Sequence, residues 1–467
     1  MGLNISTVIF IIATVLAFYL VPRPAKKPVL LLSSLLFCFY LDPAALAVLI
    51  LVTLLTYAAG LSIEKTEDER SEKLIFTAVI SLLILILLAW KFLPFLHSDL
   101  SSIVLPVGLS FYTFQAISYL SDIRTGKQAA EKNIISFGIY MTWFPKLISG
   151  PIERADSFLS GLKDVEDSVL FDGSRVIKAL SFILWGMFMK LMIADRAGII
   201  VDGLFAEPEK YGAAMLMMGS LFYTVQIYCD FAGYTDIMIG ISVLYGIDLS
   251  QNFNLPYLSC SISDFWKRWH ITLSTFLRDY IYIPLGGNRK GRFRKYINLM
   301  IVFFVSGLWH GRGLSFIVWG LLHGLYSVLE DLVKNTRIGF LVKSFAGRGI
   351  TFIAVSFAWI FFRADSLHQA FVYIRGMFTA RDSDEVFFDM IKHMGSSKTQ
   401  LIILIVSLVI LIAAEIFSYR KGTLIPGILE KTGEIRRDTV FLVLAVIILI
   451  FGVYGDPGIG KFIYMNF

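Results

Sequence analysis

The chain has 467 residues, of which 56% are hydrophobic and only 17% charged, with a mean hydropathy of +0.71. An ordinary soluble domain carries about 25% charged residues, so this composition excludes a soluble globular protein and points to a chain solvated largely by lipid. The net charge of +6 and pI near 9.0 need no nucleic-acid partner, because the basic residues cluster in loops between apolar runs, the pattern of the positive-inside rule.

A bilayer core takes roughly 20 apolar residues per helix. Clear runs of this kind occupy residues 5–21, 43–61, 74–96, 401–417 and 439–453, and less regular ones fill 103–120, 134–148, 176–193, 213–228, 297–309, 314–329 and 349–362. About eleven spans are expected, some of them re-entrant rather than crossing. The first run has no basic region before it and has Arg23, Lys26 and Lys27 after it. A cleaved signal peptide shows the reverse order, so this run reads as a permanent span with its N-terminus outside. The densest basic cluster, Arg289, Lys290, Arg292, Arg294 and Lys295, is placed in the cytoplasm, as is the stretch 419–438 with Arg420, Lys421, Lys431, Arg436 and Arg437. The final run then delivers the tail 455–467 to the outer face, and the stretch 381–398, which mixes signs and includes Asp382, Asp384, Glu385 and Asp389, suits an outside loop. Cys38, Cys229 and Cys260 are far apart in apolar surroundings and form no CxxC, which predicts packing rather than a disulfide framework or a metal site.

The string Phe144-Pro145-Lys146-Leu147-Ile148-Ser149-Gly150-Pro151-Ile152-Glu153-Arg154 predicts a broken helix whose free backbone groups need partners. Asp230 and Asp236 bracket Phe231–Thr235 at the end of an apolar stretch. Pairing with Arg or Lys from the polar helix that follows is expected there, ahead of substrate binding or proton relay. That helix covers residues 261–287, where Phe265, Trp266, Trp269, Leu273, Phe276, Leu277 and Tyr280 recur as one apolar stripe. Lys267, Arg268, Thr275, Arg278 and Asp279 lie opposite, so the helix belongs at an interface or against a wet cavity. Ser261 with Asp264, or Ser263 alone, caps its start, and Pro284-Leu285-Gly286-Gly287 ends it. His270 falls on the apolar stripe and points inward.

Three of the six histidines, His270, His310 and His323, sit in apolar context. His310 lies in Gly307-Leu308-Trp309-His310-Gly311-Arg312-Gly313, where the glycines allow close approach of backbone or ligand. An ionisable group at membrane depth is a functional candidate by default; a hydrogen-bonded core histidine is the plain alternative, with equal weight. His323 comes 13 positions later, about 220° around an ideal helix, so spacing does not put it beside His310 and a structural role is expected. His97, His368 and His393 sit near the ends of apolar runs and read as solvated. The absence of HExxH, a Walker loop, GxGxxG or GxSxG with a triad removes metalloproteases, nucleotidases and serine hydrolases.

Taken together, Asp264-Phe265-Trp266-Lys267-Arg268-Trp269-His270, Leu277-Arg278-Asp279-Tyr280, Ile283-Pro284-Leu285-Gly286-Gly287-Asn288-Arg289 and Gly307-Leu308-Trp309-His310-Gly311 resemble the membrane-bound O-acyltransferase family. The Phe144–Arg154 and Asp230–Asp236 strings match its bacterial branch of alginate and related cell-envelope polysaccharide O-acetyltransferases, so the resemblance runs from about Pro106 to Glu330. It implies an all-α polytopic protein of the bacterial inner membrane, one transmembrane acyltransferase domain over residues 1–467 with a family-like core at 106–330 and C-terminal spans and tail at 331–467. A tunnel inside the bundle would bring a cytoplasmic acyl donor to an extracytoplasmic acceptor. The family's invariant histidine falls on His310 and its second polar residue on His270. Arg312-Gly313 departs from the apolar or small residue usual after the His-Gly pair. The donor implied is acetyl-CoA or an acyl carrier, with no bound cofactor and no metal. Arg289, Lys290 and Arg292 at the cytoplasmic mouth suit its phosphates, although a pure topology signal explains them equally. Aromatic C-terminal ends like Lys461-Phe462-Ile463-Tyr464-Met465-Asn466-Phe467 resemble those of the family and its small partner peptides, which makes Tyr464 either an acyl relay or a docking residue. The chain has no esterase-type domain, so an extracytoplasmic acyl-handling partner of the SGNH esterase type is expected beside membrane lipid. D-alanyl transfer to teichoic acid, a proton-coupled transporter and a structural scaffold are the competing readings. A transporter would need paired intramembrane carboxylates or an internal repeat, and a scaffold would not need His270 and His310 in Gly- and Trp-rich strings.

Overall fold

The computed structural model describes residues 5–96, 105–169, 172–334, 336, 339, 344–381 and 395–454, and their regular structure is helical, with no strand among them. Lipid offers no hydrogen bonds, so a spanning backbone must satisfy itself within each segment, and the helix is the local way to do so. Eight helices among the described residues are long and apolar enough to cross a membrane: Arg23–Leu41, Pro43–Lys65, Glu69–Leu93, Gly173–Ala206, Ala213–Leu244, Leu314–Val333, Phe345–Arg363 and Lys398–Lys421. The expected all-α multi-pass membrane protein is what the chain forms. The shorter apolar helix Ile5–Leu20 stands outside that count of eight.

The chain divides into two compact units, Leu3–Ala179 with Met238–Gln251 and Leu180–Ile237 with Asn252–Phe467. The first holds α1 (Ile5–Leu20), α2 (Lys26–Leu41), α3 (Pro43–Lys65), α4 (Glu69–Leu96), α5 (Leu109–Arg124), α6 (Ile134–Thr142), α7 (Phe144–Leu147) and α8 (Ala155–Leu162). The expected broken helix is there: α6 stops before Trp143, and α7 restarts with Pro145 in its first turn. The free backbone groups find partners, as burial demands. The Phe144 amide donates to Ser34 Oγ at 3.2 Å, and the buried Lys146 ammonium donates to the Tyr140 carbonyl and Gln115 Oε1, each at 2.5 Å. Glu153, also buried, accepts from the Ser250 amide at 2.6 Å and its hydroxyl at 2.9 Å.

The chain passes into the second unit within α9 (Gly173–Met187), which runs through a π-helical turn at Phe188–Ala194 into α10 (Asp195–Ala206). Then come α11 (Ala213–Leu244), α12 (Ile262–Arg268), α13 (Ile271–Leu277), α14 (Arg292–His310), α15 (Leu314–Val333), α16 (Phe345–Arg363), α17 (Leu367–Thr379), α18 (Lys398–Lys421), α19 (Ile425–Glu430) and α20 (Glu434–Phe451). The core of this unit is aromatic, built around Trp269, Trp319 and Trp359 with Phe265, Phe231 and Phe362.

One expectation is corrected here. The segment 261–287 is not one continuous helix: α12 ends at Arg268, Trp269 is extended, and His270 takes a left-handed conformation (φ 43°, ψ 56°) before α13 begins. A second irregularity follows, a π turn over Arg278–Tyr282. The start is as expected, since the Ser261 hydroxyl accepts from the Asp264 amide at 3.1 Å.

Candidate active site

His310 is the last residue of α14 and His270 is the second of the two residues between α12 and α13; both side chains are buried, and their ring centroids lie 6.5 Å apart. Two imidazoles that share no stretch of sequence thus meet in the core of one unit. A wall of aromatic rings surrounds them. His310 stands edge-on to Trp319 at 5.0 Å and to Phe362 at 5.2 Å, while His270 stands edge-on to Phe231 at 4.9 Å and to Trp309 at 6.0 Å.

The glycines of the His310 string explain how its ring reaches this position. α14 and α15 form the most extensively packed pair of helices, and they touch backbone to backbone. A Cβ on Gly320 would stand 2.2 Å from the Phe303 carbonyl oxygen, and one on Gly307 would stand 2.5 Å from that of Phe316. Only residues without a Cβ let the two helices close to this distance, which sets Trp319 on α15 against His310.

His270 is held differently. Its left-handed backbone costs an L-residue roughly 1–2 kcal/mol, and histidine is among the residue types that tolerate it best. Neighbouring chain secures the break. The Asn252 carbonyl accepts from the Ile271 amide at 3.0 Å, Asn252 Oδ1 accepts from the Thr272 hydroxyl at 2.7 Å, and the Asn254 amide donates to the Arg268 carbonyl at 2.9 Å. Strain of this kind concentrates at functional sites. Burial pulls the pKa of His270 down from its ordinary value to about 3, so its imidazole is neutral and keeps one acceptor nitrogen.

A buried ionic cluster lies beside this wall. Lys190, set in the π turn, reaches Asp230 on α11 at 2.5 Å and Asp195 at 2.7 Å. The partner that Asp230 finds is thus Lys190, where a cation of the segment 261–287 was expected; the neighbouring Phe231 is the ring against His270. The same π turn releases the Leu191 carbonyl, which accepts from the Val453 amide at 3.2 Å just beyond α20. Arg196, buried one turn later, donates to the carbonyls of Met192 (2.9 Å) and Phe451 and to Gln400 Oε1. The root of the C-terminal tail is thus fastened to this unit.

Arg289, Lys290 and Arg292 are exposed and lie at the N-terminal end of α14, with His310 at the other. That separates them from the buried rings by about 27 Å of helix, so they do not join the histidines. Tyr464, His97 and His393 lie outside the described residues. Helical spacing does not carry across from His310 to His323, because Gly311–Gly313 end α14 and a new helix begins at Leu314. In the structure Trp319 bridges the two rings, 5.0 Å from His310 and 5.1 Å from His323.

A sequence model of the membrane-bound O-acyltransferase family matches residues 30–367. The chain is 36% identical over 361 residues to a probable alginate O-acetylase of Pseudomonas fluorescens, covering 76% of this chain and 70% of that protein. It is 32% identical over 403 residues to a peptidoglycan O-acetyltransferase of Helicobacter pylori, covering 78% and 76%. A teichoic acid D-alanyltransferase of Streptococcus thermophilus is 27% identical over 287 residues, covering 58% and 67%. Some other alginate O-acetylases are spanned over only 53–57% of their own length.

Proposed function

The chain belongs to the membrane-bound O-acyltransferase family, and we propose that it carries an acetyl group from a cytoplasmic thioester, acetyl-CoA, to the outer face for O-acetylation of an envelope polysaccharide such as alginate or peptidoglycan. The observation that carries this reading is the meeting of His310 and His270 in a buried aromatic wall inside the stretch that matches the family. O-acetylating relatives at 36% and 32% identity, against 27% for the D-alanyl relative, support acetyl over D-alanyl transfer.

A thioester is activated enough that a hydroxyl attacks it with a base and charge stabilisation alone. His310 accepts the hydroxyl proton as the oxygen bonds to the carbonyl carbon, and returns it to the thiolate as the C–S bond breaks. General-base help of this kind contributes typically about 10²–10⁴-fold. His270, neutral and one ring away, orients the base or the acyl group. The exposed Arg289, Lys290 and Arg292 attract the donor's phosphates at the cytoplasmic mouth. The tail takes the acyl group outward: Tyr464 is the first acceptor, because a phenol with pKa near 10 makes a better acyl donor than an alkanol. An extracytoplasmic esterase-type partner then moves the group to the polymer. Both termini lie outside in this orientation, with the multi-pass bundle in the bacterial inner membrane.

The test is polymer acetyl content in a knockout complemented with variants at matched membrane levels. His310→Ala is expected to lower it by about 10²-fold or more, with His270→Ala severely impaired; full acetylation by His310→Ala would falsify the mechanism. Tyr464→Phe keeps the ring and removes only the hydroxyl. Wild-type acetylation by that variant would reduce the tail to a docking element. Labelling of purified protein from a D-alanyl-charged carrier and not from acetyl-CoA would move the chain to the teichoic-acid reaction.

A further inference from the structure

Two buried N–H groups on α15, one of them on the ring that stands against His310, have no acceptor among the described residues. His323 is fully buried, and its Nδ1 accepts from the Trp266 indole N–H at 3.3 Å. An indole nitrogen only donates, so Nδ1 is the unprotonated nitrogen and the neutral ring carries its proton on Nε2. Nε2 has no hydrogen-bond partner among the described residues, and neither has Nε1 of Trp319. Trp319 is also fully buried and lies four positions earlier on the same face of α15. Its ring packs between the two imidazoles, 5.0 Å from His310 and 5.1 Å from His323.

A buried donor without an acceptor costs stability, and folded proteins keep few of them. Packing alone is served as well by rings without N–H groups, for the neighbours of Trp319 include Phe362, which fills its place with carbon only. Two orphan donors on one face of one helix, one of them on the ring against the proposed base, are the complement of an oxygen acceptor that arrives with the substrate. The pattern selects an oxygen with lone pairs and disfavours a cation.

We propose that Trp319 and His323 are catalytic donors that bind the acyl carbonyl oxygen of the thioester through their N–H groups. This rests on the acyl-transfer reading above and names the groups that stabilise its oxyanion. As the hydroxyl oxygen attacks, negative charge gathers on the carbonyl oxygen, and fixed donors in a water-poor site stabilise that charge more than they stabilise the ground state. Neither donor gives up its proton. The hydroxyl proton goes to His310 and on to the departing thiolate, so the atoms balance as before.

The test separates this role from packing by replacing Trp319 with benzothienylalanine, which keeps the bicyclic shape and lacks the N–H. Turnover of acetyl-CoA by the full-length protein in detergent is expected to fall about ten- to hundredfold in kcat with little change in KM, while the melting temperature stays at or above wild type because an orphan donor is gone. His323→Gln, which offers an acceptor to Trp266 and a donor toward the oxygen, retains most of the kcat, and His323→Met does not. An unchanged kcat on removing the Trp319 N–H overturns the proposal, and so does a fall in melting temperature, which marks the N–H as structural and satisfied by an ordered water. If the unsubstituted protein does not turn over acetyl-CoA, the donor reading itself has failed, and the melting temperature still judges the donor pair.

Discussion

His310 closes a regular helix, whereas His270 occupies a break between two short ones, and their rings nevertheless meet at 6.5 Å. The α14–α15 pair holds its histidine by close approach: Gly307 and Gly320 let the two backbones touch, and no residue of the His310 string has a left-handed backbone. The segment from Ser261 to Tyr282 holds its histidine by a strained residue, with Asn252 and Asn254 securing the chain on either side. The first arrangement resists any added volume. The second resists a change of residue type at one position. The same chemical group is thus fixed by sterics in one region and by backbone conformation in the other, and the two regions fail under different substitutions.

The larger effect is expected on the helix pair. Gly320→Ala puts a methyl group 2.2 Å from the Phe303 carbonyl oxygen and 3.2 Å from the Gly307 nitrogen, and neither backbone atom can step aside without moving α14. Overpacking of this kind costs about 1–3 kcal/mol, and a displacement near 1 Å at a reacting group can cost about 10²-fold in rate. We expect a lower melting temperature in detergent and a fall in acetyl transfer of at least about tenfold. Gly349→Ala on α16 is the control, because a Cβ there meets nothing within 4 Å and the substitution gains up to about 1 kcal/mol of helix propensity. Equal behaviour of the two variants would show that the α14–α15 contact does not fix His310.

Much of this was legible in the sequence, and what was not has a physical reason. Apolar runs of membrane length gave the helices, and Gly- and Trp-rich strings gave His310 and His270. The break at His270 left no mark, because Phe265, Trp269 and Leu273 keep helical spacing across it and histidine at positive φ looks like any other histidine. Helical spacing could not place His323 relative to His310, because Gly311–Gly313 turn the chain into a second helix. The pairing of Lys190 with Asp230 spans 40 residues and depends on a π turn, and no periodicity reports either.

The smaller effect sharpens the other half of the comparison. His270→Ala and His270→Gly both delete the imidazole, so acetyl transfer is expected to be lost in both. Their stabilities separate for a backbone reason. Alanine at φ 43° keeps the clash between Cβ and carbonyl oxygen that makes the left-handed region costly, by roughly 1–2 kcal/mol, whereas glycine populates it freely. Glycine gives back part of that gain through the larger entropy of its unfolded chain. The net expectation is a glycine variant more stable than the alanine variant by about 1 kcal/mol, the reverse of the order in a helix interior, where alanine wins by a similar amount. Thermal unfolding of the two variants in the same detergent measures it. If alanine is the more stable, residues 269–271 continue one helix, as the uninterrupted apolar stripe had implied, and the support of His270 would have to be sought in packing against Phe231 and Trp309 instead.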